Sequence, residues 1–332
     1  MRALLFDAPG GPDVLYHGEA PEPVCGPGEV VVEVRATALN RADLAQRAGH
    51  YPPPPGASPI LGLECAGVVA AVGAEVTSVA VGDRVAALLA GGGMAARVAV
   101  DARHVLPLPD AMPFEDAAAI PEAVLTAFQA LFLLGEAAQG DRALVHASAS
   151  GVGTAALQLA RRAGLAVCGT ASAGKHAAVR ALVPGVTLVD YRDADAYERL
   201  AAATAGDDGQ PRGFDVIVDV VGAPTLGANV AALARDGRLV VLALMGGSVA
   251  ETFDLRALFA RRGTIRASTL RNRSDAYKAD LVRLFRAAAW PGFADGTLRP
   301  VIDRVLPFAA AADAHRALAA NETVGKIVLT MG

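Results

Sequence analysis

The stretch ALVHASASGVG, Ala143 to Gly153, passes from an apolar run into a turn of small residues that opens a helix. Strand, tight turn and helix N-terminus in that order present backbone amides to a pyrophosphate. The pattern GxGxxG is only one-third filled, because Ser148 and Ser150 stand where the first two glycines would be and only Gly153 keeps its place. Small residues still allow close approach, and the Ser150 hydroxyl adds a hydrogen bond to phosphate or substrate, beside the amides of Gly151 and Val152. The turn predicts dinucleotide binding, with an ordinary βα turn as the alternative. The choice of dinucleotide falls at the end of the next strand, which reads Gly169 to Lys175, GTASAGK. No carboxylate is present there for a ribose 2′-hydroxyl. Ser172 and Lys175 suit an additional phosphate, and Tyr191, after the third strand, is placed to pack near the adenosine or reach that phosphate. The predicted cofactor is NADPH.

The same segment, GTASAGKH, fits GxxxxGK and sits between a strand and a helix, as a nucleoside-triphosphate loop does. His176 takes the Ser/Thr position, and an imidazole is a poor substitute for the hydroxyl that ligates Mg²⁺. Nucleotide hydrolysis is therefore the weaker reading.

The chain that must position these groups has 332 residues, enough for two domains with a large core. Its 53% hydrophobic and 19% charged residues exclude a disordered chain, and a formal net charge of -4 gives no field for nucleic acid. Mean hydropathy is +0.37, yet the apolar runs are too short or too interrupted for a membrane span. Met1 to Pro12 hold no apolar stretch long enough for a secretory signal, so none is expected, and Cys25, Cys65 and Cys168 form neither a disulfide framework nor CxxC spacing. A cytoplasmic protein is expected.

Valine-rich runs at Glu29 to Thr37, Gly67 to Val72 and Asp83 to Ala87 predict a β-rich module. Near Phe114 the spacing turns helical, with Pro121 breaking the run into two helices. From Asp141 onward apolar strands alternate with helices, which predicts a doubly wound parallel sheet. After Arg262 come a strand, a long helix from Asp275 to Ala289, a helix over Ala309 to Ala320 and a terminal strand begun by Gly325 and Lys326. These are expected to return to the first domain.

Together, ALNRADLAQRAGHYPPPPGASPILGLECAG, IPEAVLTAFQALF, HASASGVGTAALQLA, LALMGG, RRGTIRASTLRNR and GKIVL span the chain almost end to end. In these segments it resembles the zinc-free quinone oxidoreductases of the medium-chain dehydrogenase/reductase superfamily, in particular the p53-inducible subgroup. The resemblance implies an α/β protein with a GroES-like β-rich catalytic domain (1–121, completed by 265–332) and a doubly wound Rossmann domain (122–264), with the active site in the cleft between them. It also implies a homodimer. Where zinc alcohol dehydrogenases carry a ligand Cys followed three residues later by Asp, this chain has Asn40 and Asp43; where they carry His-Glu after Gly, it has Gly62, Leu63 and Glu64. No metal site is expected.

Tyr51, ahead of Pro52 to Pro55, is a candidate donor to a quinone oxygen, and Asn40 a candidate to orient nicotinamide or substrate. Asp43 and Glu64 read best as a structural pair neutralised by Arg41 or Arg47, and His50 as an exposed loop residue. The resemblance places Thr126 beside the cofactor, the backbone of Leu244, Met245 and Gly246 at the nicotinamide amide, and Lys326 at the cofactor or as a solvated strand-end charge. Without a Lewis acid, an acceptor that spreads the incoming charge is favoured. The expected activity is NADPH-dependent quinone reduction without metal or flavin. Alkenal or enone reduction is the alternative, and a non-catalytic NADPH-binding protein the second.

Overall fold

A computed structural model describes all 332 residues, Met1 to Gly332, and the chain divides into two compact units. The first unit joins Met1–Leu125 to Leu270–Gly332, and the second is Thr126–Thr269.

In the first unit, β1 (Arg2–Leu5) and β2 (Tyr16–Glu19) form a small hairpin ahead of β3 (Glu29–Ala38), α1 (Arg41–Arg47), β4 (Glu64–Val72), β5 (Arg84–Leu88), β6 (Arg97–Asp101) and β7 (Val105–Pro107). Val30, Val32 and Val34 of β3 bury their side chains against Cys65, Val85 and Ala87 from the neighbouring strands. Branched residues suit such a packed, pleated surface. The helical run after Phe114 does break at Pro121, into α2 (Phe114–Ala118) and α3 (Pro121–Phe128), and a π turn over Gln129–Leu134 follows. The chain passes into the second unit within α3.

The second unit alternates β8 (Arg142–Val145), α4 (Gly151–Arg162), β9 (Ala166–Thr170), α5 (His176–Leu182), β10 (Thr187–Val189), α6 (Ala196–Ala202), β11 (Phe214–Asp219), α7 (Ala223–Ala232), β12 (Leu233–Val241), α8 (Leu255–Arg261) and β13 (Thr264–Ala267). All neighbours are parallel, in the order β10-β9-β8-β11-β12-β13. The strand order reverses between β8 and β11, so α4 leaves at the switch point where open α/β sheets bind ligands. β8 ends at Val145, and Ala147 takes a left-handed conformation with φ 50° to start the turn.

The last segment brings α9 (Asp275–Ala288), α10 (Pro291–Ala294), β14 (Ile302–Pro307), α11 (Ala311–Ala319) and β15 (Lys326–Thr330) back to the first unit. β15 pairs antiparallel with β3, Val328 opposite Ala38, and parallel with the edge strand β14. β14 has no counterpart in the sequence reading: Asp303 and Arg304 interrupt its apolar pattern, as the edge of a sheet permits. No helix is long and apolar enough to cross a membrane.

Candidate active site

In the second unit, Gly153 makes the turn possible. A Cβ on it would lie 2.2 Å from the carbonyl oxygen of Ala147, so only glycine lets α4 start this close to the end of β8. Ser150 is the N-cap, its Oγ accepting from the Gly153 amide at 3.0 Å. The Thr154 amide donates to the Ser150 carbonyl at 2.8 Å. The first two helical amides, of Gly151 and Val152, precede any intrahelical acceptor and stay open for an anion, as does the Ser150 hydroxyl hydrogen. Ser148 is different: it is fully buried and donates to the Val145 carbonyl at 2.8 Å. His146 closes the strand end from behind, hydrogen-bonded to Thr170 at 3.0 Å and Asn229 at 2.7 Å.

Ser172 and Lys175 flank a single 3-10 turn after β9 (Ala173–Lys175), and Tyr191 follows β10, 56% exposed. The sequence reading found no carboxylate in this segment, but the fold supplies one. Asp190, at the end of β10, accepts from the Ala173 amide at 2.8 Å. Arg192 grips the same carboxylate through two contacts, at 2.9 and 2.6 Å, and holds it well below the usual carboxylate range. The local charge is thus neutralised before any ligand arrives, and the Arg192 guanidinium lies over the Tyr191 ring at 5.8 Å. His176, the residue that spoiled the triphosphate loop, bonds the Ala171 carbonyl at 2.8 Å.

After β12, the amides of Met245 and Gly246 donate to Val220 and Val221 of the neighbouring loop, at 3.2 and 2.8 Å. These two amides are committed within the unit, so a nicotinamide amide at this backbone would have to meet its carbonyl oxygens. Leu244 and Met245 are half exposed.

In the first unit, Asn40 precedes α1 and Glu64 begins β4. Lys326, the first residue of β15, sends its ammonium between them. Nζ donates to the Leu39 carbonyl at 2.7 Å and Asn40 Oδ1 at 2.5 Å, and pairs with Glu64 Oε1 at 2.7 Å. Lys326 is 5% exposed and Glu64 is fully buried. Both expectations for Lys326, cofactor contact and solvated charge, are corrected: its three protons are satisfied inside the unit. Asn40 is corrected likewise, because its Nδ2 donates to Glu64 Oε1 at 2.8 Å and its Oδ1 receives the lysine. It positions the cluster and has little capacity left for a ligand. Nor do Arg41 and Arg47 neutralise the acids. They bond Asn321 and the pair Gly10 and His315.

Asp43 accepts from the amides of Asn40 at 2.8 Å and Gly62 at 2.9 Å, and burial pushes its carboxyl up to about 6. Glu122 was not anticipated. Its amide donates to Glu64 Oε2 at 2.8 Å, while its own Oε2 is sealed from solvent without a partner. Burial, then the Glu64 charge, pushes the carboxyl from an ordinary 4.5 to about 8. A folded pKa above the unfolded one means that the native state holds the proton more tightly. The Glu122 contribution to stability must therefore fall as pH rises from about 4.5 to about 8, and Glu122→Gln should flatten the slope above pH 7, where Asp43 has largely titrated. Urea midpoints at pH 5, 7 and 9 read this directly; an unchanged slope in the variant would show that Glu122 does not titrate in this window.

Tyr51 is half-buried, and the Arg271 guanidinium lies 5.3 Å from its ring centroid. Arg271 also bonds the Tyr51 carbonyl at 3.3 Å, the Ala90 carbonyl at 2.8 Å and Gln46 Oε1 at 2.7 Å. Burial, then the neighbouring Glu122, raises the phenol above its ordinary value. No group of the unit receives its hydroxyl, so a protonated donor is held ready on a loop stiffened by four prolines. His50 beside it is exposed. Thr126, within α3, is partly buried, and nothing in the structure gives its hydroxyl a task.

The donor set here does not suit zinc. Leu63 and Asn40 offer no thiolate or imidazole, and the Lys326 ammonium takes the ground between the Asn40 and Glu64 oxygens that a cation would need.

Comparison with known proteins agrees with this fold. Residues 26–110 match the alcohol dehydrogenase GroES-like domain family, and residues 186–329 match the family described as zinc-binding dehydrogenase. The chain is 32% identical to the human synaptic vesicle membrane protein VAT-1 homolog, over 100% of this chain and 87% of that protein. It is 37% identical to the pikromycin polyketide synthase component PikAII of Streptomyces venezuelae, of which it spans only 8%. Among solved structures, a Pseudomonas syringae quinone oxidoreductase superposes with a TM-score of 0.84 at 31% identity, covering 99% of each chain. CurK enoyl reductase gives 0.86 at 27%, covering 100% of this chain and 99% of the other, and mycobacterial Rv1454c complexed with NADPH gives 0.84 at 29%, covering 99% and 100%. The chain belongs to the medium-chain dehydrogenase/reductase superfamily, in its zinc-independent, quinone oxidoreductase-like branch. It is an oxidoreductase of that superfamily.

Proposed function

We propose that the protein is an NADPH-dependent quinone reductase that works without metal or flavin. The observation that carries this reading is the Lys326 ammonium seated between Asn40 and Glu64, with the Tyr51 phenol left as the unengaged donor. Such a site offers positioning and one hydrogen bond, and lacks a Lewis acid. Hydride addition to an isolated ketone concentrates charge on one oxygen and needs more help than that. A quinone spreads the charge through a ring that becomes aromatic, so orientation and a hydrogen bond suffice.

When bound, the reduced nicotinamide supplies the hydride. The Gly151 and Val152 amides with the Ser150 hydroxyl hold the pyrophosphate, and Ser172 and Lys175 hold the additional phosphate, with Tyr191 against the adenosine. Tyr51 donates to the acceptor oxygen on which charge accumulates. Likeness to the Pseudomonas syringae quinone oxidoreductase and to the NADPH complex of Rv1454c supports both halves of this reading. An enone or alkenal acceptor is the second reading, favoured by the likeness to CurK enoyl reductase. In steady-state assays, Tyr51→Phe should lower kcat/KM for quinones roughly tenfold, as expected for one hydrogen bond strengthened by developing charge. NADPH affinity should be unchanged. Full activity in the variant would remove Tyr51 from the acceptor site.

A further inference from the structure

Arg271 and Lys278 bring two positive charges to the wall of one half-open cavity of about 1200 Å³ formed by the first unit. They are 2% and 4% exposed. A buried cation is costly unless a counter-charge lies within hydrogen-bond reach, and neither has one. Arg271 donates only to neutral oxygens, those of Ala90, Tyr51 and Gln46. The Lys278 ammonium makes no hydrogen bond within the protein, and its ion-pair partner, Asp275 Oδ1, stands at 4.0 Å on a side chain that is 69% exposed. The other carboxylates on the cavity wall are committed elsewhere: Glu19 to the N-terminal ammonium at 3.1 Å, Glu29 to the Gly26 amide at 2.9 Å and Asp101 to Arg103 at 2.6 Å. Two buried carboxyl groups outside the wall act at longer range: Asp43 on Arg271 alone, and Glu122 on both cations, though burial keeps Glu122 largely protonated at neutral pH.

Helix α9 begins at the same wall. Ser274 caps it, its Oγ accepting from the Tyr277 amide at 3.3 Å, and Ser274 and Asp275 both line the cavity. The first amides of a 14-residue helix have no intrahelical acceptor and favour negative charge. Burial pulls the Lys278 ammonium below its ordinary range, a tendency that a bound anion would reverse.

We propose that this cavity is a binding site for a small anion, a ligand presenting a carboxylate or phosphate group to Lys278, with Arg271 behind it and the start of α9 beside it. Arg271 also touches Tyr51, so the test reads stability and not hydride transfer. The thermal midpoint of the full chain is measured at pH 7 and constant ionic strength as chloride is replaced by inorganic phosphate or, separately, by acetate. One of the two should raise the midpoint, by about 5 °C at a hundredfold excess over Kd, and which one does so identifies the headgroup. Lys278→Met should abolish the rise, Lys278→Arg should retain it, and Lys278→Gln should repeat the loss if the Met variant folds poorly. No rise with either anion, or an equal rise in Lys278→Met and Lys278→Gln, would overturn the proposal.

Discussion

Replacing Lys326 with Met should cost about 3–5 kcal/mol of stability, the loss typical when one partner of a buried ion pair is removed. At roughly 2–4 °C per kcal/mol, the thermal midpoint should fall by roughly 6–20 °C. The size follows from what the ammonium satisfies. Its removal strips the fully buried Glu64 of its cation, the Asn40 oxygen of its donor and the Leu39 carbonyl of its partner in one step. Glu64 would keep the Asn40 amide at 2.8 Å and the Glu122 amide at 2.8 Å, which is too little for a carboxylate out of water. The double variant Lys326→Met with Glu64→Gln should recover part of the loss, because the uncompensated charge is gone. Denaturant titration of the wild type, Lys326→Met, Glu64→Gln and the double variant gives the coupling. A single-variant loss below about 1 kcal/mol, the range of surface pairs, would mean that the lysine does not hold this cluster.

The second large effect concerns the cofactor. Lys175→Ala should weaken NADPH binding roughly tenfold to a hundredfold, the range of one charge-assisted hydrogen bond to phosphate. NADH, which lacks that phosphate, should be affected less than about threefold. The Asp190 and Arg192 pair explains why lysine is the residue to change: Arg192 is already held by the carboxylate, and Asp190 is already neutralised. Kd values for both nucleotides by fluorescence titration decide the matter, and equal losses would show that the additional phosphate lies elsewhere.

How far the sequence led depended on whether the signal was local. The βα alternation, the turn from Ser148 to Gly153 and the break at Pro121 are carried by neighbouring residues, and each appears in the structure where the pattern puts it. Contacts between distant residues left no such mark. Lys326 and Asn40 are separated by 286 positions, and only the pairing of β15 with β3 brings them together. Hence a lysine that reads as a strand-end charge proves to be the cation of a buried cluster, and Asn40 its holder. Asp190 was hidden similarly, since the segment after β9 carries no carboxylate of its own and the fold brings one from β10. Glu122 opens α3 and resembles an ordinary helix-start acid until packing removes its Oε2 from water.

The Lys326 cluster also gives a physical reason for the branch to which the chain belongs. A fixed ammonium holds Asn40 and Glu64 together, but it cannot polarise an acceptor as an open metal site can, because all its protons are spent on protein oxygens. In the proposed function, what is left to stabilise charge on the acceptor is Tyr51. An enzyme so equipped should depend strongly on the electrophilicity of its substrate.

The most direct measurement is NADPH oxidation by chelator-treated protein against matched panels of 1,2- and 1,4-quinones, α,β-unsaturated carbonyls and simple ketones. Turnover of quinones, undiminished by the chelator and absent with simple ketones, is the predicted result. Activity confined to ketones or restored only by added zinc, or no acceptor-dependent oxidation in any panel, would contradict it.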